Sequence, residues 1–265
     1  METKPTDKWA AGDRYEPYVG RWSRLVAREF LHWLSLPAKL DWLDVGCGTG
    51  ALTQSILAHA DPASVRGIDP SAAFVDYARG HTSDPRAVFA TGDAQQLPVD
   101  MASCDVAVSG LVLNFVPSPP QGVAEMRRAV REGGTIAAYV WDYAGRMDLM
   151  RYFWDAAVAL DPAAHDLDEG RRFPLCTMER MRALFAGAGL AAVELYAIDV
   201  PTVFRDFADY WTPFEGGQGP APGYAMSLDE TRRNALRDRL RAKLPVAPDG
   251  SIPLMARAWA ARGRV

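Results

Sequence analysis

The stretch Leu43-Asp44-Val45-Gly46-Cys47-Gly48-Thr49-Gly50 constrains this chain more than any other. An apolar, strand-like run leads into it and a helical pattern leaves it. Three glycines at alternate positions allow a sharp turn and let a ligand approach bare backbone. The helix that opens after the turn leaves its first N–H groups free and facing that spot. A strand, a tight glycine turn and a helix in this order predict an α/β fold with a ligand at the carboxyl ends of its strands.

The first half of the chain repeats this unit. Strand candidates are Leu40 to Val45, Val65 to Ile68, Ala87 to Ala90, Cys104 to Val108, and Thr135 to Val140 after a Gly133-Gly134 turn. Helices fill Ala51 to Ala60, Ser71 to Gly80 and Gln121 to Arg131. Alternating strands and helices predict a parallel sheet wound with helices on both faces. An amphipathic helix comes first, with Trp22, Leu25, Val26, Phe30, Trp33 and Leu34 on one face and Pro37 ending it.

The second half changes character. Asp142 to Pro174 reads as an insertion rich in aromatics. Thr177 is placed to cap a helix that ends before Gly189. Ala192 to Val200 is a strand candidate, and Phe204 to Tyr224 is an aromatic segment broken by Pro and Gly. Ser227 and Glu230 form a capping-box pattern before a helix carrying Leu236, Leu240 and Leu244. Its arginines alternate with acids, as on a solvated face. Ile252 to Ala260 reads as a last strand, and the late pair predicts an antiparallel edge.

Two ligand chemistries fit the glycine turn by spacing. Gly46, Gly48 and Ala51 satisfy the dinucleotide pattern, and Asp69 follows where an acid for ribose hydroxyls is expected. That makes an NAD(P)-dependent oxidoreductase one reading. Asp44 argues for the other. A carboxylate two residues before the first glycine would repel a pyrophosphate. It would favour S-adenosylmethionine (SAM), which carries an ammonium and a sulfonium and no phosphate. Asp93 follows the third strand candidate. Acids after strands one, two and three would then serve the amino-acid end, the ribose and the adenine in turn. No Tyr-x-x-x-Lys pair stands where a short-chain dehydrogenase would carry it.

Leu43 to Gly50, Gly67-Ile68-Asp69-Pro70-Ser71 and Gly92-Asp93-Ala94-Gln95-Gln96-Leu97-Pro98 together resemble the three cofactor motifs of class I SAM-dependent methyltransferases. The resemblance runs from about Asp41 to Asp142 and is closest to the small-molecule branch that includes ubiquinone and menaquinone C-methyltransferases (methyltransferase type 11). It implies a Rossmann-like, mainly parallel seven-stranded sheet with one antiparallel strand and helices on both faces. It implies that SAM is held by Asp44, Gly46, Cys47, Gly48, Gly50, Asp69, Pro70, Asp93 and Ala94. Ser109 and Leu111, in the segment Ser109 to Asn114, would border its methionine end. Tyr18 and Arg21, in a region with Tyr15 and Trp22, would belong to an N-terminal lid. The whole chain is then one domain, 1–265, with a lid at 1–38, a cofactor core at 39–142 and caps at 143–174 and 203–250.

The expected activity is methyl transfer to a small molecule, apolar or aromatic in body. A SAM-binding protein without transferase activity is the rival from another class. The markers of nucleic-acid methylation are missing: Ser118-Pro119-Pro120 is followed by Gln121, and no cysteine follows a proline. A net charge of -4 also carries no basic footprint for nucleic acid. Candidates for a general base are His165, Asp142 and Tyr143. Trp141 and Tyr143 leave the fifth strand at its carboxyl edge, while Trp154, Phe173, Trp211 and Phe214 read mainly as cap packing. Cys47, Cys104 and Cys176 lack disulfide or zinc spacing, so no metal is expected. Reduced thiols, a polar Met1 to Lys8 without a signal-peptide core and the lack of a long apolar run predict a cytoplasmic protein without a membrane span.

Overall fold

A computed structural model describes residues 20–216 and 219–265. In chain order the elements are α1 (Arg21–Leu34), β1 (Asp41–Val45), α2 (Ala51–His59), β2 (Ser64–Asp69), α3 (Ala72–His81), β3 (Ala87–Thr91), β4 (Cys104–Gly110), α4 (Pro119–Ala129) and β5 (Val130–Trp141). They continue with α5 (Asp148–Leu160), a 3₁₀ turn at Pro162–Leu167, α6 (Glu169–Arg172), α7 (Met178–Gly187) and β6 (Ala191–Phe204). The last are α8 (Phe207–Trp211), a 3₁₀ turn at Thr212–Gly216, α9 (Pro220–Ser227), α10 (Glu230–Lys243) and β7 (Ile252–Arg264).

The seven strands form one sheet in the order β3-β2-β1-β4-β5-β7-β6. Strands β1 to β5 pair in parallel, and β7 runs antiparallel to β5 with Tyr139 opposite Ala260. The strand order reverses between β1 and β4. In open α/β sheets ligands bind outside the carboxyl ends of the strands at such a reversal.

Two compact units divide the described residues. The first comprises Trp22–Trp141, Pro174–Ile198 and Ala258–Val265. Its central strands read as near-continuous apolar runs because both faces are covered: Leu43, Val45, Val106, Ala107, Val108 and Ile136 are buried. Helix α1 seats Val26, Phe30 and Leu34 in this core, and the Phe30 ring meets Tyr139 of β5 at 4.7 Å between centroids. Burying such a side chain contributes roughly 1.5–3 kcal/mol.

The second unit comprises Asp142–Phe173 and Asp199–Arg257, with Arg21. Its core is aromatic: Phe153 stacks on Phe214 at 4.5 Å and meets Trp154 edge-on, and Tyr210 donates its hydroxyl to the Leu149 carbonyl. The buried Glu169 carboxylate accepts the Trp154 indole N–H.

Several boundaries differ from the sequence reading. Strand β5 starts at Val130, and the Gly133-Gly134 pair lies inside it beside a register irregularity between Cys104 and Val106. Strand β6 continues through Pro201 to Phe204, because an edge strand needs no ladder N–H on its open side. The cap of α10 is Asp229, which accepts the Arg232 N–H at 2.8 Å, while Ser227 donates to the Tyr224 carbonyl. The aromatic segment after β6 forms α8, a 3₁₀ turn and α9.

Candidate functional site

Parallel register brings the three acids of the sequence motifs to one edge of the first unit. Asp44 pairs with Gly67 and Val108, Asp69 ends β2 opposite Thr91, and Asp93 follows two residues after β3. The glycine turn lies just past Asp44. Gly46 and Cys47 donate their N–H groups to the Ile68 carbonyl at 2.7 and 3.0 Å, which ties the turn to β2. Gly46 has φ +76, and a Cβ there would lie 2.4 Å from a Val112 methyl. Only glycine allows both that conformation and that approach.

Each acid is held differently. Asp69 accepts the Gly48 N–H at 3.0 Å on Oδ2 and the Ser71 N–H at 2.9 Å on Oδ1. Burial raises its pKa, and those two N–H groups oppose the rise. Each of its oxygens keeps a second lone pair for a hydroxyl donor. Asp93 is exposed, with Oδ1 accepting the Gln95 N–H at 2.8 Å. Ala94 beside it is buried, and Pro70 is exposed.

Asp44 is the most perturbed. It is 1% exposed, and its Oδ2 accepts the Thr53 hydroxyl at 2.7 Å. Its Oδ1 is buried with no hydrogen-bond partner among the described residues. Burial pushes its carboxyl up to about 7, the nearby Asp69 charge adds to the rise, and Thr53 opposes it. A buried carboxylate left half unsatisfied is costly unless a donor or a cation completes it. The same environment pushes the Cys47 thiol far up, through burial first and then Asp44 and Asp69, so Cys47 is neutral.

Among the described residues of this unit the Trp42 indole N–H also lacks a hydrogen-bond partner, and so do the Ser109 hydroxyl at the end of β4 and both amide atoms of Asn114. Between the latter two Leu111 takes a left-handed φ of +62 and donates its N–H to the Tyr139 carbonyl at 2.8 Å. Strained non-glycine backbone of this kind costs about 1–3 kcal/mol and concentrates at functional sites. Thr53 was not singled out in the sequence. Its signal was a polar residue on the buried face of α2.

The other sequence candidates belong to the second unit or lie outside the described residues. Tyr15 and Tyr18 are outside them. Arg21 donates to Asp209 at 3.0 and 3.3 Å and lies over the Phe204 ring at 4.6 Å. The Asp142 carboxylate accepts the Gly145 and Arg146 N–H groups, both at 3.0 Å, and so closes a tight turn. Tyr143 is buried with its ring tilted on Phe173. His165 is exposed and meets Arg171 at 3.0 Å.

The strand reversal, the glycine turn and the buried acids define a doubly wound α/β fold with a carboxylate-lined edge at the ends of its strands. Comparison with known proteins shows what part of the chain is similar to them. The methyltransferase domain family matches residues 43–138. The malonyl-[acyl-carrier protein] O-methyltransferase of Hahella chejuensis is 30% identical over 49% of this chain and 43% of its own length. The chloroplastic 2-methyl-6-phytyl-1,4-hydroquinone methyltransferase 2 of rice is 32% identical over 44% of this chain and 33% of its own. The chain thus spans less than half the length of these curated relatives. A Haemonchus contortus phosphoethanolamine N-methyltransferase 2, solved with phosphomonomethylethanolamine and S-adenosylhomocysteine, superposes with a TM-score of 0.59 at 14% identity, covering 95% of this chain and 56% of that one. Residues 43–138 are thus similar to a methyltransferase domain, and the fold is shared with a solved methyltransferase. Among the described residues no helix is long and apolar enough to cross a membrane.

Proposed function

We propose that this protein transfers a methyl group from SAM to a small-molecule acceptor. The observation that carries the reading is Asp44: a buried carboxylate with one oxygen on Thr53 and the other unsatisfied, beside a second acid. That oxygen suits the ammonium of the cofactor. The backbone of Gly46, Cys47, Gly48 and Gly50 gives the chain's closest approach to a ligand. Asp69 and Pro70 take the ribose, Asp93 and Ala94 the adenine, and Ser109 and Leu111 the methionine end. Tyr18 and Arg21 are assigned to the lid. Bound SAM supplies an electrophilic methyl on a sulfonium.

The protein's own contribution is orientation, which can supply roughly 7–11 kcal/mol when a nucleophile is held in line. An acceptor that is already nucleophilic needs no general base. The hydrogen bonds at Asp142 and the exposure of His165 favour that reading. Segments 143–174 and 203–250 set acceptor choice. The relatives named above are methyltransferases of malonyl-[acyl-carrier protein] and of 2-methyl-6-phytyl-1,4-hydroquinone. For this chain the acceptor is a small organic molecule with an apolar or aromatic body. Three free, buried cysteines fit a reducing, cytoplasmic setting.

The test is a calorimetric titration with S-adenosylhomocysteine (SAH), with NADH as control and Asp69→Ala alongside. The expected result is micromolar binding of SAH alone, weakened in the variant. Binding of NADH alone would overturn the reading. Binding of SAH without methyl release from SAM to any acceptor would favour a non-catalytic SAM-binding protein.

A further inference from the structure

The segment after β4 holds a polar group that the cofactor reading does not use. Asn114 stands in an apolar run, Leu111-Val112-Leu113-Asn114-Phe115-Val116. The residue is half-buried, yet both atoms of its carboxamide are fully buried and without a hydrogen-bond partner among the described residues. Burying an unsatisfied polar group costs about 1–3 kcal/mol.

The segment is fixed on both sides. Val112 packs on Gly46, and the Phe115 N–H donates to the Val112 carbonyl at 2.8 Å. On the other side Gly122 of α4 lies close to both Leu113 and the Ala94 carbonyl, and Ser118 donates to the Gln95 side chain at 3.0 Å. The segment that carries Asn114 therefore runs from the glycine turn to the Asp93 loop. Its amide points inward rather than to solvent.

We infer that Asn114 is a specificity-determining residue that hydrogen-bonds the methyl acceptor, and that this acceptor presents a neutral hydroxyl at the site. The inference rests on the methyl-transfer reading above. A carboxamide offers donors and an acceptor and does not ionise. A hydroxyl satisfies both functions at once, whereas a carboxylate only accepts and an ammonium only donates. The two acids Asp44 and Asp69 also make the crevice unfavourable for an anionic acceptor. The ammonium of SAM is assigned to Asp44, and a sulfonium and its methyl carry no N–H or O–H, so on that assignment the Asn114 amide carbonyl is left for the acceptor. The amide would hold the acceptor oxygen with a lone pair toward the methyl. The new O–methyl bond forms as the sulfonium–methyl bond breaks, with its electron pair passing to sulfur, and the hydroxyl proton leaves to water.

The test compares wild type, Asn114→Leu and Ser109→Ala. SAH affinity is measured by calorimetry and Tm by thermal unfolding. Initial rates of methyl transfer from SAM are measured with catechol, 1,4-hydroquinone, thiophenol, benzylamine and benzoate. The expected result is a wild type that favours the two hydroxyl probes. Asn114→Leu should lose about tenfold or more in kcat/KM for them, through acceptor KM, with SAH affinity within about twofold and Tm unchanged or higher. Ser109→Ala should instead weaken SAH. A tenfold loss of SAH affinity in Asn114→Leu assigns the amide to the cofactor and overturns the inference. A lowered Tm makes it structural, and an unchanged rate or a preference for benzoate or benzylamine also overturns it. SAH binding without transfer to any probe counts against the methyl-transfer reading itself.

Discussion

The half-satisfied carboxylate of Asp44 makes cofactor affinity depend on pH in a calculable way. In the ligand-free protein its carboxyl titrates near about 7. A ligand whose ammonium completes Oδ1 needs the ionised form, so binding releases a proton wherever Asp44 starts protonated. Relative to its high-pH plateau, SAH affinity should fall about twofold at the midpoint, about elevenfold one unit below and about a hundredfold two units below. Calorimetry in buffers of different ionisation enthalpy reads both the affinity and the proton released. Asp44→Asn should abolish this dependence and leave affinity at its low, acid-side level. The ligand-free fold responds with the opposite sign. An acid whose folded pKa is raised favours the fold most below its ordinary value of 3.8 and loses that advantage as pH rises through about 7. At ~1.4 kcal/mol per unit the gap amounts to at most about 4 kcal/mol. Ligand-free Asp44→Asn should therefore unfold at higher urea than wild type at about pH 8 and not at about pH 4. A flat SAH affinity from about pH 5.5 to 8 in the wild type would refute the argument. So would an unchanged slope in Asp44→Asn.

Thr53→Val removes the hydrogen bond that opposes the rise, so the pH midpoint of SAH binding should move up, as read in the same titration. Gly46→Ala places a Cβ against Val112 at φ +76 and should cost about 1–3 kcal/mol in denaturant unfolding, with SAH binding lost. Adding Val112→Ala should restore part of the stability. Glu169→Gln removes a buried carboxyl that burial pushes from 4.5 up to about 7, so it should raise the urea midpoint at about pH 8 and leave it nearly unchanged at about pH 3.5.

The parts of the fold that sequence made visible are those set by local chemistry. The glycine turn, the apolar strands of the parallel core and the Thr177 cap, which accepts the Arg180 N–H at 3.2 Å, are written in short stretches. What local pattern misplaced depends on neighbours distant in the chain. Pro201 reads as a strand break until β6 is known to be an edge. Gly133 and Gly134 read as a turn until β4 is known to lie alongside, where Gly134 packs against the Asp105 carbonyl. Asp229 and not Ser227 is the cap because the helix begins at Glu230, a boundary that two capping residues two positions apart cannot settle by themselves.

The site shows the same division at the level of charge. Three acids at motif spacing were legible, but their unequal states were not. Asp93 is exposed, Asp69 is tied down by two backbone N–H groups, and Asp44 keeps one oxygen unsatisfied. That difference arises from packing: β2 and β4 flank Asp44 on both sides, and α2 brings Thr53 to only one of its oxygens. Ser109 and Asn114 follow the same logic, since a serine or asparagine in an apolar run reveals no vacancy until its neighbours are placed. A core assembled for stability alone would have satisfied these atoms or replaced them with apolar groups. The atoms of Asp44, Ser109 and Asn114 flank the strand reversal, at and just beyond the carboxyl ends of β1 and β4; on the proposed reading a polar ligand recovers that energy there, which predicts that apolar substitutions separate stability from binding.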